Sequence, residues 1–82
     1  MAATPQTSMG LVADDLNDTD REILSVLSEG RATPQLVREE LAARGREVSR
    51  QYVSQRLTRL REHNHVENLH GTGVYALVDD PR

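Results

Sequence analysis

The sequence predicts a small α+β domain, three short helices followed by an antiparallel β-hairpin. Three observations carry this. Apolar residues recur at helical spacing in three segments, and each segment opens on a capping residue. Near the end, two short β-branched or apolar runs flank His70-Gly71-Thr72-Gly73, a hairpin turn signal. The 82 residues suffice for one small domain and no more.

Residues 1–15 show no periodicity and end in Asp14-Asp15, which reads as a mobile tail ahead of a domain spanning 16–78. The first helix runs from Asn17 to about Ser28. Asn17 or Thr19 caps it, and Thr19 with Glu22 has capping-box spacing. Ile23, Leu24 and Leu27 form its buried stripe, with Leu16 under the first turn and Gly30 as the stop. Arg31-Ala32-Thr33 has room for one edge strand at most. Thr33-Pro34 opens the second helix, with Thr as N-cap and Pro at the first helical position. It runs to about Arg44, ahead of Gly45, with Leu36, Val37 and Leu41 facing inward.

Arg46-Glu47-Val48 is a tight connection anchored by Val48, and Ser49 caps the third helix. There Val53, Leu57 and Leu60 make a narrow apolar stripe. Gln51, Tyr52, Ser54, Gln55, Thr58 and Arg59 occupy the other face, and four arginines stand against one acid, Glu62. Such a polar, amide-and-arginine face suits the DNA major groove, where Gln matches adenine, Arg matches guanine and Ser either. Arg56 lies beside the stripe and reads as a structural residue with a snorkelling head. Tyr52 can either pack on helix 2 or serve with the polar face. Asn64 stands where a left-handed residue ends the helix. Val66–Leu69 and Val74–Val78 are the two strands, with Val66, Tyr75 and Leu77 on one face, and 79–82 is a polar tail. Two helices joined by a short turn make a helix-turn-helix, and the hairpin after it completes a winged-helix arrangement.

Composition narrows the function classes. Aromatics are 2% of residues, so the core must be built from Leu, Val, Ile and Ala. Without Cys there is no disulfide, thiolate metal site or Cys nucleophile. No basic region followed by an apolar run suggests a signal peptide, and no segment nears the ~20 apolar residues of a membrane span, so a cytoplasmic protein is expected. All ten basic residues are Arg, and thirteen acids bring the net charge to −3. The charge is uneven: residues 1–40 hold eight acids and three Arg, 41–82 five acids and seven Arg. This lysine-free, acid-rich balance is like that of extreme halophiles. In molar salt the Debye length falls to about 3 Å, so DNA binding would rest on close hydrogen bonds, shape and two-fold avidity.

From Leu16 to Leu77 the pattern resembles winged helix-turn-helix transcriptional regulators of the ArsR, MarR and Lrp kind. It is most similar to the small haloarchaeal regulators called phage phi-H repressor-like. The matching stretches are L-N-D-T-D-R-E-I-L, T-P-x-L-V, V-S-Q-R-L-T-R-L-R-E-H-N-H-V and G-T-G-V-Y-A-L. The resemblance implies a repressor that binds double-stranded DNA as a homodimer, with the Ser49–Arg61 helix in the major groove. It makes Arg50, Gln51, Ser54 and Gln55 base or phosphate contacts, with Arg59 nearer the backbone; Ser49, Tyr52 and Thr58 on the same helix and His70 and Thr72 at the wing tip complete the candidate DNA contacts. This wing departs from the family's usual one, since His70 to Gly73 includes no Arg or Lys. The long dimerising helices of MarR-type proteins and the ligand domain of Lrp-type proteins are absent from the sequence.

Three other readings compete with this one. His63, His65 and His70, with Glu67 among them, are zinc-competent side chains, but they surround turns and have no Cys beside them. No metal or other cofactor is expected. No glycine-rich phosphate loop or nucleophile–base pair is present, so no enzyme activity is expected. An acidic body with an uncharged wing also fits a winged-helix protein-interaction module that does not bind DNA.

Overall fold

The computed structural model describes residues 16–82, and the tail expected over residues 1–15 lies outside that range. The chain folds as α1 (Asp18–Glu29), α2 (Pro34–Ala43), α3 (Arg50–Glu62), β1 (Val66–Asn68) and β2 (Tyr75–Leu77), an α+β arrangement. The strands pair antiparallel with Val66 opposite Leu77 and Asn68 opposite Tyr75. Ala32 adds one bridge to β2: its N–H donates to the Tyr75 carbonyl at 3.0 Å, and Tyr75 N–H donates back at 2.7 Å. The expected edge strand is thus a single pairing. None of the described helices is long and apolar enough to cross a membrane.

Each helix starts where its cap dictates. The Asn17 side chain accepts from Asp20 N–H at 2.7 Å, and the Asp20 carboxylate accepts from Asn17 N–H at 3.2 Å, a reciprocal box that satisfies two otherwise orphaned donors. Asn17, not Thr19, is therefore the cap. Thr19 is buried within the first turn, its hydroxyl accepting from Arg46 at 3.3 Å. Thr33 and Ser49 cap α2 and α3 by accepting from Leu36 N–H at 3.1 Å and Tyr52 N–H at 3.0 Å.

The exits of α2 and α3 share one geometry. Gly45 (φ 88°) donates to Ala42 and Arg46 donates to Leu41, while Asn64 (φ 66°) donates to Arg61 and His65 to Leu60. Both are paired closures over a left-handed residue, with Asn in the place Gly usually fills. As a result α2 ends at Ala43, one residue before the Arg44 expected, and the link to α3 comprises residues 44–49.

Ile23, Leu24, Leu27, Val37, Leu41, Val53, Leu57 and Leu60 form one core, closed by Leu16, Val66 and Tyr75 and flanked by Val48 and Leu77. Leu36 does not join it and stays 44% exposed. At 100° per residue, Val37 and Leu41 define the inward face of α2, and Leu36 falls more than a quarter-turn away. Val26, outside the expected stripe, is buried. Beyond Asp79 the chain is polar, as expected, yet its start is held: Val78 and Asp79 N–H both donate to the His65 carbonyl, at 2.8 and 3.2 Å.

Candidate nucleic-acid interface

One flank of α3 is fixed to α1 by charge and hydrogen bonds. Arg56 Nε donates to Asp20 Oδ1 at 2.7 Å and its Nη2 to Oδ2 at 2.5 Å, a two-point grip on a carboxylate that is fully buried. These hydrogen bonds raise the Arg56 pKa above its ordinary value and keep the guanidinium charged. One turn earlier, the Tyr52 hydroxyl accepts from the Asn17 amide at 3.0 Å. Tyr52 thus reaches the start of α1 through its hydroxyl. The residues that cap α1 are the same ones that hold α3, so the two helices are located by one polar cluster.

The opposite flank faces open space. Arg50, Gln51 and Ser54 line an open cleft of about 620 Å³ together with Thr33, Pro34 and Gln35 at the start of α2 and Thr72 and Gly73 at the hairpin tip. Gln55 and Arg59 continue the exposed face towards the end of the helix, and Thr58 is half-buried beside them. The sequence had pointed to Arg50, Gln51, Ser54 and Thr72 separately, and the fold gathers them. It had not pointed to Thr33, Pro34, Gln35 or Gly73. The Thr-Pro pair announces a helix start, whose dipole favours anions although Pro34 has no N–H and the Leu36 N–H is taken by Thr33, but nothing in the sequence says which neighbour it faces.

The other expected contacts are placed differently. The Ser49 hydroxyl is engaged as the α3 cap. Thr72 Oγ1 donates to the Leu69 carbonyl at 2.7 Å and shapes the turn. Gly73 N–H is held by Asn68 Oδ1 at 2.8 Å. His70 is exposed at the tip with φ 53° and is not part of the cleft wall. His65 is buried, and its Nδ1 lies 2.8 Å from the Asp79 carbonyl oxygen. Among the described residues no group of three or more His, Asp or Glu side chains is arranged to hold a metal ion.

Some arginines are paired within the fold and others are not. Arg44 bridges α1 and α2 through Glu22 (3.3 Å) and Glu29 (3.1 Å), Arg56 holds Asp20, and Arg82 holds Asp80. Arg50, Arg59 and Arg61, all on α3 and all exposed, have no partner among the described residues. On the body Arg31 and Arg38 likewise have no partner among the described residues, and Arg46 bonds the Thr19 hydroxyl, so the cations left for an external anion include, but are not confined to, this cluster on α3. Comparison of the chain with protein-family models, with curated proteins and with solved structures returns no match.

Proposed function

We propose that this protein is a winged helix-turn-helix transcriptional regulator, a repressor that binds specific double-stranded DNA as a homodimer. The observation that carries the proposal is the exposed face of α3. It presents Arg50 and Arg59 beside the amides of Gln51 and Gln55, all without a partner among the described residues, on a helix whose other flank is clamped to the body. Phosphate contacts position such a helix and base-edge contacts give it selectivity. The adjoining cleft at the α2 N-terminus gives a phosphate room beside Arg50. In this reading α2 and α3 are the helix-turn-helix, β1 and β2 the wing, and the protein acts on DNA in the cytoplasm without catalysis. Dimerisation follows from scale: one short helix reads too few base pairs, and two half-sites a helical turn apart restore selectivity.

A specific feature favours a second reading. The hairpin tip, His70 to Gly73, carries no Arg or Lys, and the chain's net charge is −3, which suits a protein-interaction module. Selection from random DNA duplexes at high potassium chloride separates the two. Enrichment of a two-fold related motif is the outcome expected of the regulator. Failure to enrich any motif would favour the interaction module.

A further inference from the structure

Gln51 and Gln55 lie one turn apart on the exposed face of α3, and neither amide has a partner among the described residues. Gln35 differs: its amide donates to Glu39 at 2.8 Å and is occupied within α2. The residue following each free glutamine is a clamp residue. Tyr52 is held by Asn17 and Arg56 by Asp20. Four residues apart, Gln51 and Gln55 leave the helix on the same side, and the two clamps fix the roll of α3 that sets which side that is.

Their spacing along the helix is about 6 Å. This falls between one and two base-pair steps of about 3.4 Å each. A glutamine amide carries a donor and an acceptor side by side. In the major groove adenine offers the complement, an acceptor N7 beside a donor N6–H₂, whereas guanine offers two acceptors. We infer that α3 reads two A·T base pairs within a three-base-pair window of each half-site, one through Gln51 and the other through Gln55. Arg50, beside the α2 N-terminus, takes a phosphate in this arrangement. The inference rests on the DNA-binding reading and assigns the bases recognised.

Selection from random duplexes with the wild-type protein, Gln51→Ala and Gln55→Ala tests it. Both side chains are solvent-facing, and thermal melting checks that the variants stay folded. The wild-type motif is expected to contain two adenines in the window. Each variant is expected to lose preference at one of them, with affinity for the wild-type site falling on the order of 10-fold. Placing 7-deazaadenine, which lacks the N7 acceptor, at either position should weaken the wild type and not further weaken the matching variant. A motif without those adenines, or one kept unchanged by both variants, overturns the inference and leaves DNA binding standing. If no motif is enriched, the DNA-binding reading fails and the base assignment with it.

Discussion

Arg56 and Arg59 stand three residues apart on α3 and meet opposite fates. Arg56 is drawn inward onto a buried aspartate, while Arg59 is exposed with no partner among the described residues. The same contrast runs along the whole helix. Tyr52 and Arg56, on the flank towards α1, are tied to the residues that cap that helix, and Gln51 and Gln55 have no partner among the described residues. A polar side chain on an amphipathic helix is thus not one kind of feature. Here one flank supplies rigidity and the other supplies unsatisfied hydrogen-bonding capacity, and the first makes the second useful by holding it in one orientation.

Breaking the clamped flank should cost the most. Arg56→Ala leaves the buried Asp20 carboxylate without its cation and is expected to destabilise the domain by about 3–5 kcal/mol, read from urea unfolding. In the Asp20→Ala/Arg56→Ala double variant the loss should be well below the sum of the two single losses, since neither charge is then stranded. Next comes Asn17→Ala, which removes the α1 cap and the bond to Tyr52 together, at about 1–2 kcal/mol. Tyr52→Phe removes only the bond between the helices and should cost about 0.5–1 kcal/mol, so the difference isolates the cap.

The open face should behave in the reverse manner. Arg59→Ala should change stability by no more than about 0.5 kcal/mol. On DNA it should weaken binding alike across sequences and lower the salt dependence by about 0.9 per lost phosphate contact, measured by titration over a salt series. A large stability loss at Arg59, or none at Arg56, would erase the contrast between the flanks.

The smallest effect concerns acid. Hydrogen bonds from Arg82 hold the Asp80 pKa below its ordinary value, with partial burial opposing them. A carboxylate with a depressed folded pKa contributes stability that is present above the unfolded value, about 3.9, and is lost as pH falls through the folded one. Asp80→Asn should therefore flatten the stability profile slightly below about pH 4 and cost within about 0.5 kcal/mol at neutral pH, because the pair is near the surface. Melting temperatures across an acid series report it.

Much of the fold was legible because its signals are local. Thr33-Pro34, Ser49 and Asn64 each act on backbone groups within a few residues, and all three stand where the sequence placed them. Leu36 misled because an apolar residue beside a stripe looks the same in sequence as one within it. The Thr19–Glu22 spacing misled as well, since Asn17 with Asp20 makes the same reciprocal box two residues earlier. Among the candidate contacts, the exposed Gln51, Gln55 and Arg59 could be read from helical period alone. The withdrawal of Ser49 and Tyr52 into structural hydrogen bonds could be read only in part, from the cap position of Ser49.

The sequence by itself determined where the three helices and the hairpin lie and which face of α3 is apolar. Capping, helical period and turn chemistry act over a few residues and need no partner. Tertiary structure alone decided the pairing of Arg56 with Asp20, the joining of Tyr52 to Asn17, and the gathering of Arg50, Gln51, Ser54 and Thr72 around the start of α2. Those contacts connect residues far apart in the chain, and a buried charge selects its partner only once packing has excluded the water that would otherwise satisfy it.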